Sequence, residues 1–121
     1  MSESTKWTIV FYQTARGERP VLEFIESLDE RTQARLRRGI EELRVRNVQA
    51  SFPLVRQIEG KLWELREESQ TNIYRLFYFF FTGRRIILLH AFQKKSQKTP
   101  RKEIETAKRR MQEFIEVGGE K

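Results

Sequence analysis

The 121-residue chain has no cysteine. That removes disulfides, thiol chemistry and cysteine metal sites, and it fits a reducing compartment, so a cytoplasmic location is expected. No apolar run reaches the roughly 20 residues that span a bilayer, and the opening MSESTK is not a signal peptide, so no membrane attachment is expected. Acidic residues are in deficit: 17 Asp and Glu stand against 24 Lys and Arg, a net charge of +7. The chain has one histidine and no cluster with metal-ligand spacing, so neither a metal nor another cofactor is expected. A Gly-rich phosphate loop, a nucleophile motif, internal repeats, low-complexity tracts and long linkers are all lacking. At this length, residues 1–121 form one domain with a single core.

Most of the aromatic residues fall within Lys61–Lys98, KLWELREESQTNIYRLFYFFFTGRRIILLHAFQKKSQK. Three apolar runs are separated there by two turn signals, Glu67–Asn72 and Thr82-Gly83-Arg84-Arg85, and read as strands at about 61–66, 73–81 and 86–93. Side chains alternate faces along a strand, so a hairpin's turn length decides which residues share a face. A two-residue turn at Thr82-Gly83 or Gly83-Arg84 gives paired residue numbers an odd sum. Arg75 then shares a face with His90, Phe92 and Lys94, continuing through Phe77, Phe79, Ile86 and Leu88. If the longer first turn also gives an odd sum, Glu64 and Arg66 join that face, with Glu64 near Arg75. The opposite face reads Trp63, Leu65, Tyr74, Leu76, Tyr78, Ile87 and Leu89.

The flanks supply helices. Trp7–Tyr12 reads as a short strand. Pro20 suits a first helical position, and Val21, Phe24, Ile25 and Leu28 recur at helical spacing over 20–28. Asp29 is an N-cap candidate for a second helix over about 30–46, with a thin apolar stripe of Leu36, Ile40 and Leu43. Leu54–Ile58 reads as an edge strand or extended segment. Thr99-Pro100 reads as a capping hydroxyl followed by a first helical proline, opening a helix with Ile104, Ala107, Met111, Phe114 and Ile115 on one face. The expected fold class is α+β: a twisted, mainly antiparallel sheet with the two N-terminal helices on one face and a C-terminal helix. The Trp63/Leu65/Leu76/Ile87 face is the one expected to receive the first two helices. The Phe77/Phe79 end of the other face needs cover from the last helix or from a partner.

The positive excess is clustered, which points to a polyanionic partner rather than to solubility alone. From Lys94 to Arg110 there are eight Lys or Arg against two Glu. Lys95, Lys98, Arg101 and Lys102 are the expected backbone-binding residues of that run.

LWELR (62–66), YRLFYF (74–79), ILLHAFQKK (87–95) and KTPRKEIETAKRR (98–110) together resemble the phage-derived, HigB-like branch of the RelE/ParE toxin superfamily. The likeness extends to the PVLEFIESL helix and the basic helix after it. It implies a RelE-like fold and the toxin of a type II toxin–antitoxin pair. RelE-like members cleave mRNA on the translating ribosome without a metal, whereas ParE-like members poison gyrase and are not nucleases. The expected partners are therefore a cognate antitoxin, expected to be a helix-turn-helix protein, and mRNA on the ribosome. The family's strand arginine matches Arg75, the arginine closing the preceding strand matches Arg66, and its basic pair matches Lys94 and Lys95. Leu62 and Glu64 stand where RelE carries lysines.

Metal-free RNA cleavage needs a base for the ribose 2′-OH, cations for the charge on the phosphate, and an acid for the leaving 5′-oxygen. Arg66 and Arg75 suit the middle role, since the guanidinium fork matches phosphate oxygens. His90 and Lys94 complete the candidate catalytic set, with the assignment of base and acid left open. His90 has a bland alternative as a packed, hydrogen-bonded strand residue, and Glu64 as a partner of Arg75. Three readings compete: a ribosome-dependent endoribonuclease, a non-enzymatic gyrase-type toxin, and a basic RNA- or ribosome-binding module without catalysis. A fully buried Arg75 paired with Glu64 favours the last. On the first reading, Arg75→Ala abolishes toxicity while leaving the fold largely intact.

Overall fold

A computed structural model describes residues 7–46, 54–94 and 99–117. Its elements are β1 (Thr8–Phe11), α1 (Pro20–Glu26), α2 (Glu30–Arg46), β2 (Leu54–Glu59), β3 (Leu62–Ser69), β4 (Asn72–Phe81), β5 (Arg85–Lys94) and α3 (Arg101–Glu116). The sheet order is β1-β5-β4-β3-β2, antiparallel except where β1 runs parallel to β5. This is the α+β, RelE-like arrangement expected from the sequence.

The two helices after β1 cover one sheet face. Val21 and Ile25 of α1 and Leu36, Ile40 and Leu43 of α2 pack on Leu65, Tyr74, Leu76, Tyr78, Ile86 and Leu88. Asp29 caps α2 as expected: its carboxylate accepts from the Thr32 backbone N–H at 3.2 Å and from the Thr32 hydroxyl at 2.7 Å. These bonds hold the Asp29 carboxyl below its ordinary pKa. On the other face, Ile104 and Ala107 of α3, flanked by Met111, Phe114 and Ile115, pack on Leu62, Phe77, Phe79, Ile87, Leu89 and Phe92. The last helix is thus the cover that the Phe77/Phe79 end requires.

The start of α3 differs from expectation. Pro100, extended at φ −61° and ψ 139°, is the N-cap, with no side-chain cap bond, and the Thr99 hydroxyl is buried without a partner among the described residues. Gly118-Gly119, a glycine pair that reads as a helix-ending signal in the sequence, lie outside the described residues.

Both hairpins also differ in length from the sequence reading. The β3–β4 turn is the two residues Gln70 and Thr71, both in the left-handed region at φ 54° and 68°. Glu67–Ser69 therefore continue the strand instead of turning. Ser69 is buried and shares a 2.9 Å hydrogen bond with Thr32 of α2, which gives this polar tripeptide a reason to be in the sheet. The register sum is odd, with Arg66 opposite Arg75 and Glu64 opposite Phe77.

The β4–β5 loop has three residues, Thr82–Arg84, because Phe81 pairs with Arg85. That sum is even, and it places Ile86 and Leu88 on the α1/α2 face and Ile87 and Leu89 beneath α3, the reverse of the expected assignment. A β-bulge then intervenes: Phe77 pairs with His90 and Tyr78 with Leu88, leaving Leu89 as the extra residue. Past the bulge the sum is odd again. Arg75 opposes Phe92, and Ile73 opposes Lys94.

Candidate nucleic-acid interface

The hairpin registers set Glu64, Arg66, Arg75, His90, Phe92 and Lys94 on one face, as expected. At the centre is Glu64, whose side chain is 1 % exposed. One carboxylate oxygen accepts from Arg75, itself 6 % exposed. The other accepts from Nε of Arg56 at 2.8 Å, and that arginine is 64 % exposed. Arg75 is therefore a buried residue behind the carboxylate, the arrangement that favours binding over catalysis. Its Nε is buried without a partner among the described residues.

The cations that reach the surface here are others. Arg66 directly opposes Arg75 across the strands and bonds Glu68 at 3.5 Å. Two like charges in direct opposition repel, so Glu64 between Arg56 and Arg75 is what makes the arrangement tolerable. Lys94 is half-buried, and its pKa lies below the ordinary lysine value. Burial is the main cause; Arg75, Arg66 and Arg56 push in the same direction, and Glu64 opposes them. Arg56, Arg66, Arg75 and Lys94 thus share one electrostatic neighbourhood, four cations around one buried carboxylate. Such a surplus suits phosphate oxygens.

His90 belongs to the seam between sheet and helix. Nε2 lies 2.5 Å from a Glu103 carboxylate oxygen of α3, and Nδ1 lies 3.3 Å from the Arg110 guanidinium. Arginine can only donate, so Nδ1 accepts and the ring proton sits on Nε2, donated to Glu103. Burial lowers the pKa of His90, Glu103 raises it, and the net direction is downward. The ring also stacks on Phe92, centroids 5.5 Å apart. Arg110 donates to the Leu89 carbonyl at 2.9 Å, which ties the bulge to α3.

Of the expected backbone-binding residues, Lys95 and Lys98 lie outside the described residues. Arg101 is exposed but engaged: it bonds both carboxylate oxygens of Glu59 on β2 and, at 2.9 Å, Glu105 on its own helix. Lys108 joins the same Glu59 at 3.0 Å. These bonds hold the Glu59 carboxyl down to about 2 and pin the start of α3 to the sheet edge. Lys102 is exposed on the first turn of α3. The sequence does not point to Arg56, because nothing in it fixes the register of this strand. A bulge at Ile58 sets its pairing with Glu64, and no residue pattern announces it. Among the described residues no group of three or more His, Asp or Glu is placed to hold a metal, and no helix is long and apolar enough to cross a membrane.

A family model described as Phage derived protein Gp49-like (DUF891) matches residues 23–112, which takes in α2, β2–β5, most of α1 and most of α3. No curated protein matches the chain.

Proposed function

The chain belongs to the phage-derived Gp49-like family, and from that premise we propose that it is the toxin of a type II toxin–antitoxin pair, of the HigB-like branch, acting on mRNA at the ribosome. A cognate antitoxin, a helix-turn-helix protein, holds it inactive. The observation that carries this reading is the group of four cations around buried Glu64, with Arg56 and Arg66 open to solvent. In cleavage, the ribose 2′-oxygen attacks the adjacent phosphorus, losing its proton to a base, and the P–O bond to the 5′-oxygen breaks. Arg56 and Arg66 hold the phosphate oxygens as charge accumulates. Lys94, whose pKa is lowered chiefly by burial, is the donor best placed to protonate the leaving oxygen. Arg75 acts through Glu64 as a positioning residue. His90 holds α3, and the general base stays unassigned.

A second reading has its own support. The buried Arg75–Glu64 pair suits a surface that binds RNA or the ribosome without cleaving. Primer extension on mRNA after a brief pulse of expression separates the two, wild type beside a folded Arg66→Ala/Lys94→Ala variant. New cuts within translated regions, absent from the variant and blocked when translation is prevented, support the nuclease. Growth arrest with intact mRNA overturns it and leaves binding to the ribosome or to gyrase, the latter read by a supercoiling assay.

A further inference from the structure

Five of the six arginines of α2 fall into two groups, and the sixth, Arg37, donates to Gln33 of the same helix at 3.5 Å. In the second half of the helix, Arg44 and Arg46 pair with Glu41 and Glu42, each at 2.5 Å. In the first half, Arg31, Arg35 and Arg38 are exposed, and among the described residues no carboxylate lies within ion-pair distance of them. Their spacings of four and three residues put them on one flank of the helix, with the outer two about 10 Å apart along the axis. The apolar stripe of Leu36, Ile40 and Leu43 points elsewhere, so the arginines add nothing to the apolar packing; Arg35 and Arg38 do lie near enough to buried Glu67 to pull its pKa down against the effect of burial.

That flank adjoins the far end of β3. Arg35 donates to the Glu68 carbonyl at 3.2 Å, and the Glu68 side chain bonds Arg66 on the other sheet face at 3.5 Å. The α2 arginines and the Arg56/Arg66/Lys94 group therefore meet around one strand end, one on each side of the sheet.

We propose that Arg31, Arg35 and Arg38 form a second RNA-backbone contact, continuous around the end of β3 with the first, so that a bound strand is held on both sides of the sheet. The contact reads phosphates and not bases, because it consists of exposed guanidinium groups with no aromatic among them. It rests on the RNA reading above and adds to it an extended track instead of a single phosphate clamp.

The test is equilibrium binding of a 20-nucleotide 2′-O-methyl RNA, which cannot be cleaved, as a function of salt. Four proteins are compared: wild type, Arg31→Gln/Arg35→Gln/Arg38→Gln, the same three changed to Lys, and Arg66→Gln/Lys94→Gln. Three lost phosphate contacts should lower the slope of log affinity against log salt by about 2 and weaken binding on the order of 100-fold at 0.1 M salt. The lysine variant should keep the wild-type slope, which a merely structural role for the Glu68 contact would not predict. A wild-type slope in the glutamine triple variant, with a reduced slope in Arg66→Gln/Lys94→Gln, overturns the second contact and leaves the RNA reading standing. No salt-dependent binding by the wild type overturns both.

Discussion

Replacing Arg75 by alanine should destabilise the fold by about 3 kcal/mol. Removing one partner from a buried ion pair typically costs about 3–5 kcal/mol, because the other charge is left buried and unpaired. Here Glu64 is 1 % exposed and would keep only its bond to Arg56. That surviving bond sets the cost at the low end of the range. At this chain size, 1 kcal/mol moves the melting temperature by roughly 3–5 °C, so a fall of about 10–15 °C is expected. The assay is thermal unfolding by circular dichroism, read as a double-mutant cycle with Glu64→Met and Arg75→Met. The double variant should recover most of the stability, since a buried pair exchanged for apolar groups of similar size is often neutral. A loss below about 1 kcal/mol in Arg75→Ala, or a double variant as unstable as the two single losses added, would refute the buried-pair argument. The expectation that Arg75→Ala leaves the fold largely intact is thereby revised. Lost toxicity in that variant reports on stability as much as on chemistry, and Arg66 is the better probe.

Three further outcomes follow from particular groups. Burial keeps the His90 pKa below 6.5 in the folded protein, so the unfolded chain takes up its proton first as pH falls; stability should decline below about 6.5 in the wild type, and His90→Gln should lack that component in urea unfolding across pH. Glu67 is 5 % exposed and burial raises its pKa above 4.5, so its contribution to stability is lost as pH rises through the raised value; Glu67→Gln should be the more stable protein at pH 7, and equal stability there would count against the burial argument. Thr71 is β-branched at φ 68°, where glycine carries no steric penalty; Thr71→Gly should stabilise by about 1 kcal/mol, and an unchanged denaturation midpoint would mean that the turn is unstrained.

The polar face was legible from parity alone, but by a route the structure corrects. A two-residue turn was expected at Thr82–Arg84, and the loop has three residues. The bulge at Leu89 shifts the register by one more, and the two shifts cancel before Phe92 reaches Arg75. The stretch between them, Ile86–Leu89, is apolar throughout. Either assignment of faces buries the same kinds of side chain, so the pattern could not decide which residues face α3. Where one face is polar, as at Glu64, Arg66 and Arg75, alternation was informative. The helices were read well because Val21/Ile25 and Leu36/Ile40/Leu43 keep helical spacing. Arg56 and the Arg31/Arg35/Arg38 flank escaped notice as site candidates for opposite reasons: one depends on a bulged register, and the other reads as ordinary solvated charge.

The same bulge gives the hairpin slack. Gly83 and Arg84 both sit in the left-handed region, at φ 77° and 56°, which is what a two-residue hairpin turn needs. Pairing Thr82 with Arg85 would close the chain on those two residues, straighten β5 at Leu89 and exchange Ile86–Leu89 between faces at little cost in volume, whereas a chain lacking Thr82 closes on the same two residues with Phe81 still opposite Arg85 and the bulge in place. Amide cross-peaks between Arg75 and Phe92 that survive such a deletion would display the effect. A one-residue change in length is then taken up by the loop or by the bulge, and the cationic end of the sheet is insulated from it.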